Sequence, residues 1–305
     1  MIVLTLGGGL GNQMFQYAFA RELQEQCGEE IKINNKELKL GNYKTNFLDI
    51  FNIASGITAC SKEEEEYYWK KQMRIEQLSK IQLKLFPQKA PERVKYFSKR
   101  FGYFHTYCVY TCEPYTLVPG KLKLVVGGYQ TWKYWKNMEN KIKKEMLVKG
   151  EPLESDRQML EEISQNESVC VHIRRGDYVN DKTWSHLNIC NEQYYSESIK
   201  KMAEKIKNPV FYIFSNNSEE LMWIKENYRL GEYDIRYVDQ KHSDYEELRM
   251  MYHCKHFIIS NSTFSWWAQY LASNQGKVVI APSKWNNEEN AEDIYMPGWE
   301  IVEVE

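Results

Sequence analysis

Two arginines close an apolar run at Val169–Asp177, which reads Val-Cys-Val-His-Ile-Arg-Arg-Gly-Asp. Val169 to Ile173 is β-branched enough for a buried strand. Guanidiniums at the end of such a strand are costly unless an anion meets them. In an open α/β sheet that strand end is also where ligands sit. Arg174 and Arg175 therefore predict a phosphate or carboxylate site. A structural Arg175–Asp177 pair is the plain alternative. Arg175-Gly176-Asp177 also spells an adhesion tripeptide, a match that chance supplies readily.

A second cluster has the same chemistry. Phe257-Ile258-Ile259-Ser260 runs into Asn261-Ser262-Thr263-Phe264-Ser265-Trp266-Trp267. Polar residues between a strand and a helix form an N-cap. They also form an anion nest, with hydroxyls and free amides at the positive helix end. A cap without a ligand is the alternative. In a parallel sheet this turn and Arg174 emerge at one carboxyl edge, and two anion-binding devices together predict a diphosphate. Asn261-Ser262-Thr263 also matches a glycosylation sequon, read here as coincidence. No two aspartates lie two apart, so the Asp-x-Asp metal clamp of one class of sugar-nucleotide enzymes is missing. Fixed cations and amides can neutralise a departing diphosphate instead, which makes metal-free glycosyl transfer physically reasonable.

The elements that position these residues follow from periodicity. Ile2–Leu6 reads as a strand, Gly7, Gly8, Gly9 and Gly11 as a turn, and Asn12 to about Gln26 as a helix with Phe15, Phe19 and Leu23 on one face. The glycines admit a ligand to the backbone, and the helix N-terminus favours an anion. Asn12 stands where the dinucleotide fingerprint expects its third glycine, which weakens a hydride-transfer reading. No Lys-Ser or Lys-Thr follows Gly11, so this is not a Walker loop. A tight turn with no ligand is the alternative.

Ile31–Asn34 is expected to be a strand. Ser61 caps a predicted helix whose first turn holds Glu63–Glu66. Val125–Tyr129 predicts a strand and Thr131–Met146 a helix. A polar stretch near Lys149–Asp156 places the domain boundary, giving residues 1–152 and 153–305. In the second half, strands at Val169–Ile173, Val210–Phe214, Ile235–Val238, Phe257–Ser260 and Lys277–Ala281 alternate with helices near Glu192–Ile206, Glu219–Asn227, Asp244–Cys254 and Thr263–Ala272, with a loop at Asp181–Asn191. That alternation predicts a parallel doubly wound sheet.

The bulk numbers exclude several classes. The chain has 305 residues, enough for two domains, and a net charge of -2, which gives no sign of nucleic-acid binding. Seven cysteines are scattered. His105, Cys108 and Cys112 cluster, but zinc needs about four ligands and no second pair stands near, so free thiols in a reducing compartment are expected. There is no signal-peptide pattern and no apolar run of about 20 residues. Between Lys70 and Arg100 ten Lys/Arg face two Glu. Trp69, Phe86, Tyr96, Phe97 and Phe101 interleave with or flank these charges. A solvated helical face explains this, and so does peripheral contact with anionic lipid.

Three motifs resemble a known family. Gly8-Gly9-Leu10-Gly11-Asn12-Gln13-Met14-Phe15-Gln16-Tyr17-Ala18, His172-Ile173-Arg174-Arg175-Gly176-Asp177-Tyr178 and Asn261-Ser262-Thr263-Phe264-Ser265-Trp266-Trp267-Ala268 resemble the bacterial α-1,2-fucosyltransferases, glycosyltransferase family 11. The resemblance implies an α/β, GT-B-like pair of Rossmann-type doubly wound domains facing a cleft. The first would serve the acceptor and the second GDP-fucose. It implies an inverting, metal-independent transfer of fucose to the 2-hydroxyl of a terminal β-galactose, with no cofactor. The first arginine of the motif holds the GDP diphosphate in the wider superfamily, a role that carries over to Arg174, with His172 near the nucleotide. Arg175 and Asp177 would brace the loop, with Arg175 also at the donor site. Ser262, Thr263 and Phe264 inherit the phosphate turn. The turn with Gly9 and Gly11 would face the cleft, and Asn12 is expected to contact sugar or diphosphate. A carboxylate suits guanine's donors: Asp244 is preferred, with Asp239 the alternative. A leaving diphosphate oxygen can take the acceptor's proton, and no base is assigned, although His186 lies in the loop after the motif. The implied setting is a cytoplasmic enzyme of surface-glycan synthesis, at the inner membrane face if the basic stretch binds lipid. A non-catalytic GDP-sugar binding protein on the same fold and a Rossmann oxidoreductase are the alternative readings.

Overall fold

The structure, a computed structural model, describes residues 1–304 apart from 42, 86–89, 107, 240–242 and 289–290; the side chains at 83, 90, 91 and 177 are also outside the described set. Phe86 and the Asp177 side chain therefore lie outside the described residues. The chain forms two compact units. One holds Met1–Met146 with Glu292–Ile294, and the other Leu147–Ala291 with Tyr295–Glu305.

The first unit is built on β1 (Ile2–Thr5), β2 (Ile31–Asn34), β3 (Ile57–Ala59), β4 (Tyr103–His105) and β5 (Lys123–Val126). They pair in the order β3-β2-β1-β5-β4, every neighbour parallel. Central β1 is wholly buried, as its Ile-Val-Leu run requires. The helix Leu10–Cys27 follows the glycine turn. Its periodicity predicts one apolar face, but nearly every residue from Leu10 to Leu23 is buried. Its polar positions are satisfied internally: Tyr17 and Arg21 both hold Glu145, at 2.7 and 3.1 Å. Phe19 stacks on Tyr129 with ring centroids 3.9 Å apart.

Ser61 caps the helix Lys62–Leu85 through a reciprocal pair. Its hydroxyl accepts from Glu64 N–H (3.2 Å), and Glu64 accepts from Ser61 N–H (2.9 Å). The basic stretch continues into a second helix, Ala90–Phe101. Phe97 there is core, packed with Tyr68, Ile75 and Tyr103, and Phe101 packs against that cluster. The expected helix at Thr131–Met146 is instead a 3-10 turn, Trp132–Met138, followed by Glu139–Glu145. The break is at Trp135, which is fully buried against Phe15 at 5.5 Å. Burying the indole outweighs helical regularity there. Val125–Tyr129 likewise ends early as a strand, at Val126, because Tyr129 takes φ 51° and turns its hydroxyl back onto the carbonyls of Phe104 and Val126.

The second unit carries β6 (Glu167–Ile173), β7 (Pro209–Ser215), β8 (Asp234–Tyr237), β9 (His256–Ile258), β10 (Val279–Pro282) and β11 (Glu300–Val302). The order is β11-β10-β9-β6-β7-β8, all parallel. Val169, Val171 and Ile173 sit in the main core with Phe211, Ile213 and Ile258. The stretch Asp181–Asn191, expected as a loop, contains a short 3-10 segment, Lys182–Leu187, and another short helix, Gly176–Asn180, precedes it. The polar stretch expected at a boundary leads into the helix Glu154–Gln165. Among the described residues no helix is long and apolar enough to cross a membrane.

Candidate functional site

In the second unit, β6 and β9 are neighbours, with Val171 opposite Ile258. The residues that follow them therefore meet at the carboxyl edge. His172 Nδ1 lies 3.0 Å from Ser260 Oγ. Ser260 Oγ is 3.2 Å from Ser265 Oγ, and Ser265 donates to the carbonyl of Ser262 or Ser260 at 3.1 Å. Ser262 Oγ caps the helix Thr263–Leu271 by accepting from Phe264 N–H at 3.3 Å. The Phe264 ring sits 5.7 Å from the His172 ring. Tyr178 ties the two loops: its hydroxyl donates to the Asn261 carbonyl (3.4 Å), and the Arg174 guanidinium lies 5.4 Å from its ring. The structure thus brings together His172, Arg174, Ser262, Thr263 and Phe264.

His172 is fully buried, and burial together with the Arg174 charge pulls its imidazole down to about 3. It is neutral throughout the physiological range. Arg174 is then the cation of the pair, half-buried at the strand end.

Arg175 is held differently. Its Nε donates to Glu220 at 3.0 Å, its guanidinium lies 3.4 Å from the Trp223 ring, and its own N–H donates to Asn216 Oδ1 at 2.9 Å. Its described bracing partner is Glu220, 45 residues downstream; the expected pairing with Asp177 lies outside the described residues. Asn261 is also structural: its amide donates to the carbonyls of Leu187 and Trp285, both at 2.8 Å. Asp244 is exposed in the first turn of the helix Asp244–His253. Among the described residues no hydrogen bond or ion pair joins it to Arg174 or the serine turn. Asp239, also exposed, accepts from Ser218 at 3.5 Å. The helix Asp244–His253 also holds a pair that sequence reading misses: buried Glu246 grips Arg249 at 2.8 Å, and Arg249 donates to the carbonyls of Lys149 and Gly150, both at 3.0 Å. Acidic and basic residues three apart look like a surface pair, and nothing local signals burial.

In the first unit the glycine turn borders a cavity of about 560 Å³. Gln16 braces the turn from behind, accepting from Gly7 N–H (3.1 Å) and donating to its carbonyl (3.2 Å). Gln13 donates to the Gly8 carbonyl at 3.0 Å. Gly8 has φ +74°, and a Cβ there would stand 2.5 Å from Asn12 Nδ2, so only glycine keeps Asn12 in place. Gly9 is the N-cap of the helix and Gly11 lies buried in its first turn. Asn12 itself lines the cavity and accepts from Gln130 at 3.2 Å. Trp69, Gln72, Met73 and Glu76 complete one wall from a single face of Lys62–Leu85, and Glu37 and His105 stand on other elements. Sequence spacing singles out none of these last six as a site residue, except His105 as a metal-type ligand. Among the described residues no three of His, Cys, Asp and Glu are grouped to hold a metal ion, and all seven cysteines are free thiols.

Comparisons with known proteins agree with the motifs. A family model described as glycosyl transferase family 11 matches residues 1–303. An Escherichia coli protein named alpha-1,2-colitosyltransferase is 27% identical over 299 residues, covering 93% of this chain and 92% of its own. A Sus scrofa galactoside alpha-(1,2)-fucosyltransferase 2 is 23% identical over 206 residues, 63% of this chain and 59% of its own. Among solved structures, the alpha-1,6-fucosyltransferase NodZ soaked with GDP-fucose superposes with a TM-score of 0.53 at 11% identity, covering 89% of this chain and 92% of its own. That likeness shows the fold, which is GT-B-like and α/β with two parallel sheets.

Proposed function

The chain belongs to glycosyltransferase family 11, and from that premise we propose that it moves L-fucose from GDP-fucose to the 2-hydroxyl of a terminal β-galactose in a surface glycan such as O-antigen or capsule. The observation that carries this reading is the meeting of Arg174 with the Ser262–Phe264 turn at one sheet edge. A guanidinium and a capped helix start offer a diphosphate both charge and hydroxyl or amide donors. Neutral His172 supports the turn through Ser260 without adding charge.

In this proposal the acceptor oxygen attacks C1 of fucose from the face opposite the diphosphate. The C1–O bond breaks, configuration inverts, and negative charge grows on the leaving GDP. Arg174 and the Ser262–Thr263–Phe264 turn are aimed at that growing charge, which is the electrostatic assistance a metal would otherwise give. The acceptor proton is released on the acceptor's side of C1 as the new bond forms, and no side chain is assigned as its base. Asp244 is the proposed guanine partner, and Asn12 the proposed contact with sugar or diphosphate. Arg175 belongs to the donor site through the loop it braces. No cofactor is required. A second donor has a specific observation in its favour: the relative named for α-1,2-colitosyl transfer is similar over nearly the whole chain. Colitose is fucose lacking one hydroxyl, so the same diphosphate chemistry applies.

The proposed setting is the cytoplasm, at the inner membrane face. Leu78, Ile81 and Leu85 form an exposed apolar stripe at the end of Lys62–Leu85, beside Lys80 and Lys84, a pattern suited to an anionic interface. The experiment for the catalytic assignment is Arg174→Ala assayed with GDP-fucose and a β-galactoside. Loss of one aimed charge costs roughly 3 kcal/mol, about 10²-fold in kcat or more. Turnover near that of the wild type in a folded variant refutes the assignment.

A further inference from the structure

The cavity in the first unit has a chemistry of its own. Its volume, about 560 Å³, falls within the roughly 300–1,000 Å³ of small-molecule sites. Its charged side chains are the carboxylates of Glu37 and Glu76, with His105 beside them, and no lysine or arginine is among its described lining residues. Such a lining repels phosphates and carboxylates, so this is not a second nucleotide site. It suits a neutral ligand rich in hydroxyl donors.

Glu37 is the unusual member. It sits on the short helix Lys36–Leu40, and its Oε1 approaches the glycine turn so closely that a Cβ on Gly7 would stand 2.6 Å away. Among the described residues no hydrogen-bond donor or cation meets its carboxyl group. Glu76, by contrast, is paired with Lys80 at 2.6 Å. Burial, and then the Glu76 charge, hold Glu37 above the usual carboxylate range, which hydrogen bonds from a ligand would reverse. Across the wall, Gln72 accepts from Thr5 at 2.9 Å, leaving its amide NH₂ as a donor. Trp69 lies on the same helical face, one turn earlier, half-buried. An indole wall beside hydrogen-bonding groups offers an apolar surface and polar anchors together. A pyranose ring has that same division, with C–H groups on one face and hydroxyls around its edge.

We propose that this cavity seats the terminal sugar ring of the acceptor, with Trp69 against its apolar face and Glu37 accepting hydrogen bonds from its hydroxyls. The proposal rests on the glycosyl-transfer reading for the word acceptor, but the binding it describes is measurable without turnover. The probe is methyl β-D-galactopyranoside, followed by saturation-transfer NMR on the full chain. The wild type transfers saturation to the sugar. Glu37→Gln and Trp69→Ala each weaken binding about tenfold or more, the scale of a hydrogen bond to a charged group. Trp69→Phe restores most of it. In turnover assays the first two variants raise the KM for the galactoside while the KM for the donor stays within about twofold. Equal saturation transfer in wild type, Glu37→Gln and Trp69→Ala overturns the proposal, as does none in the wild type. A thermal shift with GDP separates the two readings. Sugar binding without any GDP response means that the cavity stands and the transferase reading falls, whereas a GDP response without sugar binding means the reverse for this site.

Discussion

Replacing His172 with asparagine tests whether the donor edge is built around a buried neutral imidazole. In the folded chain its pKa is about 3, against about 6.5 in an unfolded one. The unfolded state therefore takes up a proton as pH falls below about 6.5 and the folded state does not, until pH approaches about 3. Stability from the neutral imidazole is thus complete above about pH 6.5 and is lost progressively on acidification. Between about pH 7 and pH 5 the loss is about 1.5 pH units at about 1.36 kcal/mol each, roughly 2 kcal/mol. The carboxylates shared by wild type and variant cancel in the comparison. Urea unfolding at both pH values, followed by tryptophan fluorescence, gives the measurement. The wild type should lose about 2 kcal/mol more than His172→Asn over that interval. Equal losses within a few tenths of a kcal/mol would show that His172 is not held neutral, and the charge balance assigned to Arg174 would then be wrong.

Two further outcomes are expected. Arg249→Met leaves buried Glu246 without its cation and frees the Lys149 and Gly150 carbonyls. It should cost about 3 kcal/mol or more, read as a drop of several degrees in Tm, and a Tm within a degree of the wild type would contradict it. The stripe of Leu78, Ile81 and Leu85 should carry the chain upward with anionic vesicles in a flotation assay at low salt. Salt should weaken that binding, and Ile81→Asp, which places a like charge in the stripe, should abolish it; wild type remaining at the bottom of the gradient rules out the membrane contact.

The second unit is far more legible in the sequence than the first, for a physical reason. Its central strands are buried, near-continuous β-branched and aromatic runs, and its helices start with clear caps: Asn191, Asn217 and Ser262 each accept from an N–H of the turn that follows. Alternation alone therefore points to the parallel arrangement near Arg174. In the first unit, β3 and β4 have three residues each, too few to show a period. Trp135 breaks a helical pattern because of where its indole is buried, which no local window reports. The candidate site divides the same way. His172, Arg174 and Ser262 stand at strand or helix ends where chemistry is readable from type and place. Glu220, a partner of Arg175, is hidden because a long-range ion pair leaves no spacing signal. Glu37 and Trp69 are hidden because a cavity assembled from several elements has no sequence period, although Trp69, Gln72, Met73 and Glu76 do share one helical face once that helix is known.

One transfer reaction tests the proposed activity most directly. The full chain is incubated with GDP-fucose and a terminal β-galactoside in excess EDTA, with GDP-colitose and UDP-galactose in parallel, and the product linkage is read by NMR. The expected result is α-1,2 transfer from the GDP sugars alone, at a rate unchanged by EDTA. GDP binding with no transfer from either GDP sugar would make the chain a sugar-nucleotide binding protein, and turnover that collapses in EDTA and returns with Mn²⁺ would contradict the role given to Arg174.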